Sequence, residues 1–194
     1  MRDRAGKNTP PAGSPMALLP LETDRLQLRP YARGDAPEIA RLLNNEEMAH
    51  FLMVIPHPFA DSDALALVKA AWRRLTAGRG FDLLIAVREL GGKPVGSVGL
   101  GLHDGGARAE LGFWVGREYW GRGYATEAAR RMAEFAVETL GAARLTGTVA
   151  ADNKASLAVM ARLGFAETGR SEKRMSASGD LREIVLLERR ADGR

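Results

Sequence analysis

The chain has 194 residues, 45% hydrophobic and 27% charged, which suits one ordinary domain able to bury a core without disulfides or metal. It has no cysteine, which excludes a disulfide framework, a thiolate zinc site and a cysteine nucleophile, and fits a reducing cytoplasm. The net charge is +4, and half of it comes from Arg2, Arg4 and Lys7 against Asp3. Elsewhere arginines occur as pairs, Arg130-Arg131 and Arg189-Arg190, and not as the basic stripe of a nucleic-acid binder. No apolar run reaches transmembrane length and no charged-then-apolar leader opens the chain, so a soluble protein is expected.

Residues 1–20 hold Pro10, Pro11, Pro15 and Pro20 with Gly6, Gly13 and Ser14, and are expected to be a disordered extension. Asp3 and the early prolines oppose an amphipathic presequence helix. Residues 21–190 are expected to form a single domain. Arg25–Arg29 alternates polar and apolar and predicts a strand closed by Pro30. Asp35 predicts a helix start, as N-cap to free amides, with Pro37 in the first turn and Glu38 completing a capping box. Asn44-Asn45 ends that helix, and Phe51–Pro58 reads as an apolar loop. A second helix begins at Asp61 or Ser62, buries Leu65, Val68, Trp72 and Leu75, and stops at Gly78.

Phe81–Val87, Val95–Leu102 and Ala109–Val115, separated by turns at Gly91-Gly92 and Gly105-Gly106, predict three adjacent antiparallel strands. A helix from Tyr124 to Leu140 carries the stripe Ala125, Ala128, Ala129, Met132, Phe135 and Ala136, capped by Gly141. Leu145–Val149 predicts a strand, Asn153 caps a short helix to Leu163, and Phe165–Thr168 and Leu181–Leu187 close the fold around a turn at 176–180. The order β, α, α, β, β, β, α, β, α, β, β predicts a mixed α/β fold. The unit from Ala109 through the long helix to Val149 has the length of a crossover joining two parallel strands.

Trp120-Gly121-Arg122-Gly123-Tyr124-Ala125 stands where that long helix begins. A helix start has amides with no partner inside the helix and the positive end of the macrodipole, so it attracts phosphate. Gly121, Gly123 and the small Ala125 let a ligand approach, and a diphosphate is expected on the amides of Gly121 through Thr126. There is no Gly-Lys-Ser/Thr ending for a nucleotide P-loop, and Thr126 stands where a dinucleotide fingerprint needs Gly or Ala. On this loop alone, a tight turn without ligand is an equal reading.

Trp120, Gly123 and Ala125 fall on the three fixed positions of the phosphate motif of the GNAT superfamily of acyl-CoA N-acetyltransferases, with Trp where Gln or Arg is usual. The run Trp120 to Ala128 resembles the RimJ/RimL-type branch, which acetylates N-terminal amines of ribosomal proteins. Thr23-Asp24-Arg25-Leu26-Gln27-Leu28-Arg29-Pro30 resembles that branch's first strand, Asn153-Lys154-Ala155-Ser156 its cofactor-contacting helix start, and Leu163-Gly164-Phe165 its next junction. The resemblance implies a mostly antiparallel twisted sheet with one parallel pair and helices on both faces. It implies acetyl-CoA as co-substrate, direct attack in a ternary complex, and an amine acceptor that is a protein N-terminus or a small molecule. A non-catalytic acyl-CoA sensor is the reading from a different class. Neither nucleic acid nor membrane is an expected partner, and a monomer or a homodimer is expected.

The resemblance also assigns roles. Phe113, Trp114 and Val115 lie on the strand whose backbone pairs with pantetheine, Gly112 is expected as a bulge that opens the gap, and Gly121, Arg122, Gly123, Tyr124, Ala125 and Thr126 hold the diphosphate. Asn153 bonds pantetheine, and Ser156 protonates the leaving thiolate, since Met160 stands where many members place a tyrosine. Glu110 is the candidate general base, with a solvated strand carboxylate as the plain alternative. His50, His57 and His103 are scattered and lack ligand spacing, so no metal is expected.

Overall fold

The computed structural model describes residues 14–175 and 178–191. In chain order the elements are β1 (Leu21–Glu22), β2 (Leu26–Pro30), α1 (Ala36–Leu43), α2 (Glu46–Phe51), α3 (Asp61–Thr76), β3 (Gly80–Val87), β4 (Lys93–His103) and β5 (Arg108–Val115). Then follow α4 (Tyr124–Glu134), β6 (Arg144–Ala150), α5 (Lys154–Arg162), β7 (Ala166–Arg174) and β8 (Leu181–Arg190). The strands form one sheet in the order β1-β2-β3-β4-β5-β6-β8-β7. Every neighbouring pair is antiparallel except β5 and β6, the two joined through α4. The mixed α/β fold with one parallel pair is therefore the fold that the sequence predicts.

The strand β3 explains the layering. Its side chains alternate, so Leu83, Ile85 and Val87 enter a core shared with Ala128, Ala129, Met132 and Phe135 of the α4 segment. Leu84 points the other way, into a second core with Ile39 and Leu43 of α1 and Ala64, Val68 and Ala71 of α3. Helices therefore cover both faces of the central sheet. Phe81 and Phe135 meet edge to face with centroids 5.1 Å apart, fixing the end of α4 to β3; such a pair adds about 1 kcal/mol beyond its burial.

Several local expectations are corrected. Asp35 stands at the N-cap of α1 but makes no side-chain cap. Its carboxylate accepts from Arg29 at 2.7 and 2.8 Å and from the Ala32 N–H at 2.7 Å. Pairing with the partly buried Arg29 guanidinium wins over capping. Asn45, read as a helix end, also starts a new one: its side chain accepts from Met48 N–H, and α2 takes the first residue of the supposed loop. Trp72, expected in the core, is 40% exposed, with its indole donating to the Tyr31 carbonyl at 2.6 Å. The long helix is α-helical to Glu134 and then widens into a π turn at Phe135–Thr139. The closing strands run longer than expected, because each finds a partner along nearly its whole length. Of the turn at 176–180, Ser176 and Ala177 lie outside the described residues.

Residues 1–13 of the proposed extension also lie outside the described residues. Within 14–20, Ser14 caps a short 3-10 turn, Pro15–Leu18, and Met16 and Leu19 pack against the main core. Among the described residues, no helix is long and apolar enough to cross a membrane.

Candidate active site

The parallel pair sets the site. Register between β5 and β6 covers only Arg108↔Arg144, Ala109↔Leu145 and Glu110↔Thr146, and the strands then part. Beyond that point β5 keeps full antiparallel register with β4 up to Val115, straight through Gly112. The expected bulge at Gly112 is thus absent; the gap opens on the β6 side, where the backbone of residues 111–115 loses its strand partner. Trp120 closes the end of this strand, its indole N–H donating to the Val115 carbonyl at 2.6 Å. That bond gives a physical reason for Trp at the first motif position.

A cleft of about 1480 Å³ occupies the gap. Phe113, Trp114, Val115, Gly121, Gly123, Tyr124, Ala125, Thr126, Asn153, Ser156 and Glu110 all line it. Of the proposed site residues only Arg122 is not among its walls. The Arg122 guanidinium lies over the Tyr119 ring at 5.7 Å, and its carbonyl accepts from Arg25 at 3.0 Å. Of the three strand residues, Val115 is buried, and Phe113 and Trp114 are partly buried against the core.

At one part of the cleft α4 begins. Its N-cap is Gly123 with φ 79°, and no side chain caps the free amides of the first turn. A Cβ on Gly121, at φ 75°, would meet nothing within 4 Å. Uncapped amides behind an open, side-chain-free approach fit a diphosphate. The loop is braced from the first strand region. Glu127 accepts from Thr23 Oγ1 at 2.6 Å, Arg25 N–H at 3.2 Å and Arg25 Nε at 2.7 Å, and Arg25 lies over the Tyr124 ring at 5.1 Å. Burial pushes the Glu127 carboxyl up, but these donors outweigh it and hold it below the usual carboxylate range. The two distant sequence runs, Thr23-Asp24-Arg25 and Glu127, are therefore one structural unit.

Asn153 caps α5, its side-chain oxygen accepting from Ser156 N–H at 3.0 Å. Ser156 lines the cleft, one turn from Met160, which is buried and packs over Gly147. Met160 is a core residue.

The floor of the cleft comes from β3, β4 and β5. Gly99, Gly101 and Gly112 lie on one face, with Gly99 opposite both Asp82 and Gly112, and Gly101 opposite Glu110. Only Gly112 leaves its part of this floor open, a Cβ there meeting nothing within 4 Å. A Cβ on Gly99 would sit 2.5 Å from Asp82 Oδ1, so glycine there makes room for that carboxylate. Asp82 pairs with Arg74 at 3.2 Å; burial pushes its carboxyl up and Arg74 only partly offsets this. Glu110 lies on the other side, accepting from Thr148 Oγ1 at 3.1 Å, with His103 Nε2 3.4 Å away. An apolar wall is formed by Met48, Phe51, Leu52, Ile55 and Leu67.

Spacing along the chain does not reveal the pairing of Asp82 with Arg74, or of His103 with Glu110. Counting back from the Gly105-Gly106 turn pairs 103 with 108 and 101 with 110, and so places His103 and Glu110 on one face. His50 likewise meets a carboxylate, Asp152 at 3.3 Å, and Arg182 donates to its carbonyl at 2.7 Å. This trio joins α2, the β6–α5 turn and β8 beside a smaller pocket of about 290 Å³. Neither His50 nor His57 lines the main cleft. Among the described residues, no group of three or more His, Cys, Asp or Glu side chains gathers as a metal site.

The model of the acetyltransferase (GNAT) domain family matches residues 25–166. The chain is 26% identical over 183 residues to YdaF of Bacillus subtilis, provisionally named a ribosomal N-acetyltransferase, covering 88% of this chain and 95% of that one. A shorter stretch of 58 residues is 48% identical to the FsC-acetyl coenzyme A-N(2)-transacetylase of Aspergillus fumigatus, covering 30% of this chain and 25% of the relative. The fold superposes on Mycobacterium smegmatis RimJ, solved with CoA-disulfide, with a TM-score of 0.77 at 23% identity over 86% of this chain and 82% of the other. The family match spans most of the chain and contains the splayed strands, the glycine loop and Asn153 with Ser156: the chain belongs to the GNAT acetyltransferase family.

Proposed function

We propose that the protein transfers an acetyl group from acetyl-CoA to a primary amine, with a protein or peptide N-terminus as acceptor. One observation carries this reading: uncapped helix amides and an unpaired strand edge open into the same cleft as Glu110 and Ser156. Acetyl-CoA supplies the activated acyl group. The amides of Gly121–Thr126 hold its diphosphate, and the free edge of Phe113–Val115 pairs with the pantetheine as an added strand. Asn153 orients that arm while capping α5.

Three proton and charge tasks follow from attack by an amine on a thioester. Glu110 draws the ammonium in and takes its proton. Backbone N–H groups of Phe113–Val115 stabilise the oxyanion. Ser156 donates to the departing thiolate. With no cysteine in the chain, transfer is direct, without a cysteine-bound acyl-enzyme.

The name of YdaF supports a ribosomal or peptide acceptor. A small amine is the second reading, compatible with the name of the fungal N(2)-transacetylase, which mentions no ribosomal protein. Mass spectrometry of a peptide pool and a panel of small amines incubated with acetyl-CoA separates them. A gain of one acetyl group on peptide N-termini supports the first reading, modification of small amines alone supports the second, and no acetylated product overturns both.

A further inference from the structure

We propose that His103 is a positioning residue for Glu110 and the outlet through which the acceptor's proton leaves the cleft; this rests on the acetyl-transfer reading above. The local geometry is specific. His103 and Gly101 share one face of β4, and Gly101 is the cross-strand partner of Glu110. The imidazole folds back over Gly101: a Cβ there would stand 3.3 Å from His103 Nε2 and 3.9 Å from Glu110 Cβ. Glycine at 101 is what lets the ring reach Glu110 Oε2 at 3.4 Å. Thr148 takes the other oxygen, Oε1, at 3.1 Å from beyond the point where β5 and β6 part. Both carboxylate oxygens are thus directed, one by each wall of the gap. The ring is 39% exposed and Glu110 45%, so the pair joins the cleft to solvent.

The chemistry suits this placement. A free carboxylate titrates near pH 4 and matches an ammonium proton poorly, whereas a free imidazole titrates at about 6.5 and exchanges with water near neutrality. In the proposed step the acceptor's N–H bond breaks, its lone pair is freed for attack on the thioester, and the proton binds Glu110. It then passes from Oε2 to His103 Nε2, leaving carboxylate and imidazolium as an ion pair, and the ring releases it to solvent. Beside the ring stand Glu110 from β5 and Arg74 from α3, whose Nη2 is, like His103 Nε2, 3.3 Å from the Cβ position of Gly101; Arg108, the cross-strand partner of His103, pairs with Asp104 at 3.1 Å, and Arg79 lines the same cleft. Arg74 is itself held by Asp82.

The chain has three histidines, so their ring cross-peaks separate by NMR in the 194-residue chain with CoA added. In Glu110→Gln the His103 ring cross-peaks move at fixed pH, because the ring loses the carboxylate oxygen 3.4 Å from its Nε2, while those of His50 and His57 stay in place. Unmoved His103 cross-peaks overturn the proposal. In turnover with a pool of heptapeptides plus spermidine, read by CoA release, His103→Gln lowers kcat by about 10²-fold and flattens the acid limb of the pH profile. Its acetyl-CoA Kd and Tm stay unchanged, and free imidazole restores His103→Ala but not Glu110→Gln. Wild-type rates and an unchanged pH profile in His103→Gln overturn the outlet alone. A wild-type chain that acetylates nothing in the pool, yet whose His103 cross-peaks respond to Glu110→Gln, overturns the transfer reading and the outlet with it.

Discussion

At the scale of single residues, some polar groups at the site are tied down by neighbours far off in sequence, as Glu127 is by Thr23 and Arg25 and Glu110 by Thr148. Ser156 is held locally: its backbone N–H donates to Asn153, and the residue lines the cleft. Ser156→Ala is expected to lower kcat by about 10²-fold with little change in acetyl-CoA affinity; equal losses in both, measured by calorimetry and steady-state rates, would make it a binding residue only. Glu110→Gln is expected to remove the acid limb of the pH–rate profile, and a retained limb excludes Glu110 as the proton acceptor. Asp35 is structural. Burial pushes its carboxyl up, but Arg29 and the Ala32 N–H outweigh it and hold it below the usual range. A depressed folded-state carboxyl stabilises above its unfolded-state range, and that contribution is lost as pH falls through the folded value. Asp35→Ala leaves Arg29 half-buried and unpaired, for an expected loss of about 3 kcal/mol at neutral pH in urea melts.

At the scale of elements, the junction between β5, the glycine loop and α4 makes the cleft. Gly123 has positive φ, so a β-branched residue there strains the backbone by about 1–3 kcal/mol and crowds Arg25, whose Nη2 stands 3.4 Å from the Cβ position. Gly123→Val is expected to weaken acetyl-CoA binding by about tenfold or more; unchanged affinity in calorimetry contradicts the loop assignment. Glu127→Gln is expected to lower stability above the usual carboxylate range and to flatten its decline in acid, because Glu127 is the carboxylate whose donors hold that loop.

These elements were legible to different degrees. The strand–helix–strand unit and the glycine loop announce themselves locally, through alternation, helical period and Gly-X-Gly spacing. The short helix α2 did not, because six residues give too little periodicity and its cap, Asn45, also reads as a helix stop. The Asp35–Arg29 pair and the Asp82–Arg74 pair were hidden for another reason: ion pairs between elements depend on three-dimensional approach, which spacing along one element does not encode. His103 with Glu110 lay between these cases, recoverable only once the hairpin register was counted.

For the whole molecule, one sheet with helices on both faces places an unpaired strand edge, a helix N-terminus and two carboxylates around one cleft. A ligand that spans these parts ties α4, β5 and α5 together, so it stabilises the folded state by mass action. Acetyl-CoA at 100 times its Kd is expected to raise stability by about 2.7 kcal/mol, seen as an upward shift in Tm that Gly123→Val reduces. Isothermal titration of the purified 194-residue chain with acetyl-CoA tests most directly whether the cleft holds the coenzyme. Saturable binding at one site per chain, weakened by Gly123→Val, is expected; no binding heat at several temperatures, together with an unshifted Tm, rules the coenzyme site out.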